Sequence, residues 1–253
     1  MLKITRHLTL AVTAFCSASF LFSNSVHAQQ APQGFLYGLG VGINQEIYQG
    51  YKRRVIPLPL LGYRGEKLSV YGPFVSYTFF EQGPVRFSAK LAPRFAGFDE
   101  RDSDIFIGMA ERKNSLEGGL GVQWRQHNWV VEADTMLDLL GNAKGQETKL
   151  SLAYNWRIGP VLLEPKVGIS YANSNLVDYY YGVRPNEANT FRSAYHAGSA
   201  FNYHAGVAVS NPLFGGLTRL GLEHHWYDSS ISQSPLTDRD GGWSVFFAWS
   251  SFF

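Results

Sequence analysis

The 253 residues carry 22 Lys and Arg against 20 Asp and Glu, and 15% of them are Phe, Trp or Tyr. A formal charge of +2 leaves no basic surplus for binding nucleic acid. The single cysteine, Cys16, falls in an N-terminal stretch with the form of a leader, which excludes a disulfide or thiolate chemistry from the mature chain.

Met1 to Ala28 reads as a secretory signal peptide. Lys3 and Arg6 give the positive start, Leu8 to Phe22 is mostly apolar, and Val26-His27-Ala28 ends on a small residue. Cleavage is expected after Ala28, leaving residues 29–253 as one domain. Losing Lys3 and Arg6 lowers the basic count from 22 to 20, equal to the acidic count. Phe15 before Cys16 is a poor context for lipidation. No later run approaches the about 20 apolar residues of a membrane helix. An exported, aromatic-rich chain with 26 glycines points to an outer-membrane β-barrel. A secreted soluble sandwich is the competing architecture.

Alternation then marks the strands, since side chains on a strand repeat with period two. In Gly34 to Asn44, Phe35, Tyr37, Leu39, Val41 and Ile43 share one face, and Gly38, Gly40 and Gly42 the other. Gln45 to Lys52 reads as a loop. Val55 to Arg64 follows, with Ile56, Leu58 and Leu60 expected outward and Pro57 and Pro59 inward. Two prolines without ladder donors predict a bulge or a frayed stretch there. Lys67 to Tyr71 and Phe74 to Phe80 flank Gly72-Pro73 as two short strands or one bent one. Val85 to Leu91 alternates with Arg86, Ser88 and Lys90, and residues 97–113 form a charged loop.

Leu116 to Trp124 is a strand with Glu117 inward. After the short turn His127-Asn128, Trp129 to Leu137 places Glu132 and Asp134 inward. Residues 141–147 form a loop. Leu150, Leu152, Tyr154, Trp156 and Ile158 then oppose Lys149, Ser151, Asn155 and Arg157. Gly159-Pro160 turns the chain, and Val161 to Tyr171 opposes Glu164, Lys166 and Ser170. Asn173 to Ala194 is the longest loop. Phe201 to Val209 opposes Asn202, His204 and Ser210. After a turn within Asn211 to Gly216, Leu220, Leu222 and Trp226 oppose Arg219, Glu223 and His225. Ser229 to Gly241 is a loop. The chain closes on GWSVFFAWSSFF, where Trp243, Val245, Phe247, Trp249 and Phe253 share one face and Phe246 and Phe252 break the pattern. A greasy face that ends at the last residue has little chain left to cover it, whereas lipid can cover it.

Counting two strands around Gly72-Pro73 makes twelve, all antiparallel; ten is the fallback and needs two merges or losses. Turns near 65, 82, 127, 160 and 213 then fall on one rim, and loops near 48, 105, 144, 184 and 235 on the other, with the tight Gly72-Pro73 turn as the exception. Short periplasmic turns, long outer loops and an even strand number are the outer-membrane pattern, with both termini in the periplasm.

The inward set holds Arg86, Lys90, Glu117, Arg125, Glu132, Asp134, Lys149, Arg157, Glu164, Lys166, Arg219 and Glu223. Buried charges must be paired or wet. Closed into ion pairs they plug a small barrel; in a wetter barrel they line a pore. The core of the expected network is Glu132, Asp134, Lys149, Arg157, Glu164 and Lys166. His196, His204, His224 and His225, near Ser199 and Asp228, invite an enzymatic reading, but no nucleophile elbow accompanies them. His224 and His225 face opposite sides of a regular strand, so they do not ligate one metal together. No catalytic, cofactor or metal residue is assigned.

Several segments, taken in order, resemble the MltA-interacting protein / OmpV family. They are Tyr48-Gln49-Gly50-Tyr51 before Ile56-Pro57-Leu58-Pro59, Arg101-Asp102-Ser103-Asp104, Gly108-Met109-Ala110-Glu111-Arg112-Lys113, and Leu163-Glu164-Pro165-Lys166-Val167-Gly168. The run Tyr179-Tyr180-Tyr181-Gly182-Val183 with Glu187, and Ser234-Pro235-Leu236, complete the set. The resemblance covers nearly the whole mature length. It implies a non-enzymatic outer-membrane barrel with a structural or scaffolding role, linked in one member to a murein transglycosylase and a peptidoglycan synthase; a small-solute channel or a surface adhesin are the alternatives. It carries no catalytic residue and no cofactor. Asp102, Asp104, Glu111, Arg112 and Lys113 are expected on the outer side of one loop, facing solvent or lipopolysaccharide. Tyr179, Tyr180 and Tyr181 are expected to fold inward as a lid, held by Glu187 paired with Arg184.

Overall fold

The computed structural model describes residues 33–253, so the expected leader lies outside the described residues. The strands are β1 (Gly34–Gln45), β2 (Arg53–Arg64), β3 (Leu68–Tyr71), β4 (Phe74–Gln82), β5 (Val85–Arg94), β6 (Ser115–Gln126) and β7 (Trp129–Asp138). They continue as β8 (Gln146–Tyr154), β9 (Trp156–Ile158), β10 (Val161–Ala172), β11 (Ala200–Leu213), β12 (Gly216–Trp226) and β13 (Gly241–Phe252). Each pairs antiparallel with its sequence neighbour, and β1 pairs with β13 to close the barrel. Segments β8 and β9 both pair with β10 and are one strand broken at Asn155, so the thirteen segments make twelve wall strands. Two short helices, α1 (Ser174–Tyr181) and α2 (Ser229–Ser232), lie in the loops of the rim opposite the chain ends.

The outward residues are those of a lipid-facing wall. Phe35 is 68% exposed, Leu61 70% and Leu120 62%, and they recur on neighbouring strands as one continuous band. Exposure on that scale is an aggregation hazard in water and ordinary in hydrocarbon. Aromatic pairs edge the band at both ends. Trp129 packs on Tyr154 at 4.8 Å and Phe35 on Tyr63 at 5.4 Å near the chain ends, and Tyr171 packs on Phe201 at 4.9 Å near the other rim. Trp243 and Phe253 sit ten residues apart on the final strand, ~34 Å of extended chain and ~25 Å once tilted by ~40°, the height of a membrane-spanning band.

The turns set the register. Phe214 and Gly215 both have positive φ, 56° and 72°, the arrangement whose twist matches a two-residue hairpin. The β11–β12 ladder therefore runs without a slip from Leu213↔Gly216 up to His204↔His225 and beyond.

Strand β2 departs from expectation. Ile56, Leu58 and Leu60 point inward and are buried, while Pro57 and Pro59 face lipid. The reason lies in the neighbouring hairpin. β3 is so short that it pairs only with Gly62, Tyr63 and Arg64, leaving the rest of that edge of β2 without a described strand partner. The Leu61 carbonyl accepts from Gly72 on this side, at 3.1 Å. Backbone groups alternate sides along a strand, so Pro57 and Pro59, of the same parity, direct their donorless nitrogens into the unpaired edge. Across the gap, Pro93 pairs with Leu116, whose carbonyl faces β7 instead, so its nitrogen also points away from the ladder to β6. The prolines mark a seam in the outer half of the wall. Ile56, Leu58, Leu60, Phe74, Phe246 and Ala248 pack behind it as an apolar patch inside the barrel.

Candidate functional site: the lumen and its outer cap

The inward faces of β5–β8 and β10–β12 carry charge, much of it in closed sets, while buried nitrogens of Arg125 on β6 have no hydrogen-bond partner among the described residues. Lys90 donates to Glu132 at 2.7 Å and to Asp134 at 2.5 Å. Arg94 bridges Glu117 and Glu147, both at 2.5 Å, and Lys149 lies 3.3 Å from Glu147. Arg219 donates to Glu164 at 2.9 Å and to Ser210 at 2.7 Å. Glu132, Asp134 and Glu164 are buried, as is Lys166, which lies within electrostatic reach of Glu132. A bridging cation shared by two carboxylates ties neighbouring strands together and fills the space between them. Arg157 stands apart from this network. It is exposed on β9 near the short-turn rim, lining a small cleft with Arg64 and Arg219.

Above the lumen, all five long loops interlock into a cap. Ile47, Ala143, Leu176, Val177, Tyr180, Tyr227 and Ile231 form one apolar cluster, and Tyr48, Phe98, Phe106, Met109, Val183 and Leu236 a second. Asn173 starts α1 by accepting from the Leu176 amide at 3.1 Å, and its carboxamide oxygen also accepts from the Gln146 amide at 3.0 Å. The three tyrosines do separate jobs. Tyr179 accepts at its hydroxyl from the Lys113 amide at 2.8 Å. Tyr180 donates to the Lys113 carbonyl at 3.1 Å and accepts Tyr48 at its own carbonyl at 3.2 Å. Tyr181 stacks on Tyr48 at 5.4 Å. Burial pushes the hydroxyls of Tyr48, Tyr180 and Tyr181 up, so they stay neutral donors.

The cap is pinned by an ion pair between distant loops. Arg112 donates to both oxygens of Glu187 at 2.9 and 2.7 Å, with both side chains almost fully buried. Burial alone would raise the Glu187 carboxyl. Hydrogen bonds from Arg112 and from the Arg184 and Ala110 amides outweigh it and lower the carboxyl to about 2. Arg192 clamps the same corner, donating to the Glu187 carbonyl at 2.6 Å and to the Ile105 carbonyl. Arg112 was expected among the outward loop charges, and it is instead 2% exposed in the middle of the cap. Arg184, the partner expected for Glu187, is half-exposed and approaches no closer than 3.7 Å. Its backbone amide makes the closer contact.

The residues weighed for catalysis do not converge. Asp228 caps α2 through the Ser230 amide, His196 contacts Asp178 on the outer face at 2.9 Å, and His224 packs between Trp226 and Trp243 on the outer wall. One grouping was missed. His204, Glu223 and His225 face inward together, with a ligand atom from each within 4.8 Å of the others. All three have inward parity in the sequence. Counting outward from a two-residue Phe214-Gly215 turn places His204 opposite His225, a step that alternation by itself does not supply.

The sequence model of a family described as MltA-interacting protein MipA matches residues 37–253. Among curated relatives, the outer membrane protein OmpV of Vibrio cholerae is 29% identical, over 92% of this chain and 96% of its own length. The outer membrane protein Omp26La of Vibrio anguillarum is 26% identical over the same shares. The MltA-interacting protein of Escherichia coli K12 is 21% identical, over 87% of this chain and 90% of its own.

Proposed function

The chain belongs to the MltA-interacting protein MipA family, and from that premise we propose that it is a non-enzymatic outer-membrane barrel, shut to solutes, that serves the envelope as a structural or scaffolding element. The observation that carries this reading is the cap: five loops share two apolar clusters and a buried Arg112–Glu187 pair directly over a lumen already crossed by ion pairs. A conducting pore needs a wetted path, and each of these features removes one. The short-turn rim, which carries both chain ends, faces the periplasm after removal of a leader ending at Ala28. The capped rim faces lipopolysaccharide. A murein transglycosylase or peptidoglycan synthase would then meet, among the described residues, the chain ends and two- and three-residue turns, so a periplasmic partner reads the rim as a ring and not as one loop.

Planar-bilayer recording tests closure. The wild-type barrel gives no steady conductance, and Arg112→Ala with Glu187→Ala raises opening events; a steady wild-type pore overturns the reading. Capture of a murein transglycosylase from periplasm by the immobilised barrel tests scaffolding; lengthening the short turns together abolishes capture, whereas lengthening the 127–128 turn alone only weakens it. One observation favours surface recognition as a second reading. Phe191 is 90% exposed beside an outer cleft of ≈ 870 Å³ that includes Asp102, Asp104 and Arg192. Cell-adhesion assays comparing wild type with Phe191→Ser decide it.

A further inference from the structure

We propose that His204, Glu223 and His225 form a binding site for one divalent transition-metal ion, with zinc the best fit, inside the barrel just beneath the cap. The three come from adjacent strands in one register. His204 on β11 is directly opposite His225 on β12, and Glu223 stands two residues before His225 on the same inward face. All are buried, at 7%, 2% and 6% exposure for His204, Glu223 and His225. The Nε2 atom of each histidine and both carboxylate oxygens of Glu223 lack a hydrogen-bond partner among the described residues. His225 Nε2 comes to 3.0 Å from Glu223 Oε1, close enough for an ion pair. Buried polar atoms left unsatisfied are costly, and His204 Nε2 and Glu223 Oε2, beside the His225–Glu223 contact, ask for a shared partner.

The geometry suits a metal. The ligand atoms lie within 4.8 Å of one another, and ligands on a tetrahedral zinc at ~2.1 Å stand ~3.4 Å apart, so small side-chain rotations close the set. The backbone leaves room for it. A Cβ on Gly168 would overlap the His204 imidazole, and one on Gly206 would meet Glu223. Two imidazoles and one carboxylate with a fourth position open favour Zn²⁺, Ni²⁺ or Cu²⁺ over Ca²⁺ or Mg²⁺, which want more oxygen ligands. The surrounding charge sharpens that choice. Lys166 and Lys149 act on the cluster, so a hard ion held mainly by charge gains little there, while imidazole nitrogens still form strong bonds to a softer one. Tyr227 stacks on His225 at 6.3 Å and roofs the site from the cap side.

The test uses the full mature barrel, folded in detergent and stripped with chelator. Co²⁺ is titrated first, then displaced by Zn²⁺. The expected result is one equivalent of Co²⁺ with the visible absorption of a four-coordinate N/O site, lost on adding Zn²⁺ and not on adding Ca²⁺. His204→Gln and His225→Gln each weaken binding at least ~10-fold, while His224→Gln, facing lipid from the same strand, leaves it unchanged. Heat-modifiable migration verifies that each variant is folded. In those folded proteins Zn²⁺ raises the unfolding temperature of wild type and not of the double variant. Absence of stoichiometric binding to folded wild type, or equal binding by the His204→Gln/His225→Gln double variant, overturns the proposal.

Discussion

Two arcs of the same lumen wall are built on opposite physics. From β5 to β8 and from β10 to β12 the inward face is charged, and Lys90, Arg94 and Arg219 close it by pairing. From β13 through β1 and β2 to β4 its middle is apolar, with Arg54 and Arg64 at the two ends of β2, and Ile56, Leu58, Leu60, Phe74 and Phe246 close it by packing. The charged arc's ladders are interrupted once, at the Asn155 break opposite Glu164 and Pro165, whereas the apolar arc contains the seam, where most of one edge of β2 has no described strand partner. The contrast is instructive. Where neighbouring strands keep one register along most of their length, the lumen can hold charge, because the ladder fixes the spacing its ion pairs need. Where the ladder is interrupted, nonpolar packing tolerates the looser geometry.

The largest effect is expected from breaking the charged arc at its most shared cation. Arg94→Met leaves Glu117 and Glu147 buried without their common partner, and removing one side of a buried pair costs about 3–5 kcal/mol. Urea unfolding in lipid vesicles measures it. The triple change Arg94→Met, Glu117→Gln, Glu147→Gln recovers most of the loss, since the stranded charges go with it. If the triple variant is as unstable as the single one, the arc is held by shape and not by pairing.

The cap combines both devices, an ion pair wrapped in aromatics, and acid separates them. The Glu187 carboxyl sits at about 2 when folded against an ordinary 4.5, so its contribution is present above the ordinary value and is lost as the pH falls through about 2. That difference corresponds to about 3 kcal/mol. Hydrogen exchange of the α1 amides, corrected for the intrinsic pH dependence of exchange, accelerates between those limits. In Glu187→Gln it is already fast at neutral pH and no longer varies.

The two arcs also differ in how far they could be read from the sequence. On the charged side every strand alternates a polar and an apolar face, so Glu132, Asp134, Lys149, Glu164 and Lys166 announce their direction. β2 is apolar on both faces, and alternation carries no phase when both parities are greasy. The sequence alone therefore gives Ile56, Leu58 and Leu60 an outward reading, where the structure turns them inward. The prolines were informative, but about edges: they reported missing ladder partners, not an inner or outer face. The cap hid its pivot in another way. Arg112 lies in a run of charges whose period has no meaning outside a strand, and its partner is 75 residues away. In the tyrosine run, three adjacent aromatics are hard to leave in water, and Tyr180 is buried between the half-buried Tyr179 and Tyr181.

A smaller change tests the apolar arc. Ile56→Val removes one buried methylene from the patch and costs about 1 kcal/mol. The loss is the same at low and high salt, because nothing in that patch is charged. A salt-dependent loss would mean that the charged arc reaches across the lumen, and that the wall is not divided as described.

The smallest effect is the most diagnostic for the seam. Proline within a fully paired strand deprives a neighbour of a donor, so replacing it there restores a hydrogen bond and stabilises. At the unpaired edge of β2 no described strand stands ready to accept, and Pro59→Ala gains nothing from its new N–H. It loses the rigidity proline imposed on the unfolded chain, a cost of about 0.5 kcal/mol. The amide it creates serves as a probe in its own right. In the folded barrel in deuterated detergent it exchanges far faster than the amides of Leu150 or Leu152, which lie within the ladders of β8. Protection equal to theirs would mean that another strand closes against β2, and the apolar patch would then be a packed layer behind an intact wall.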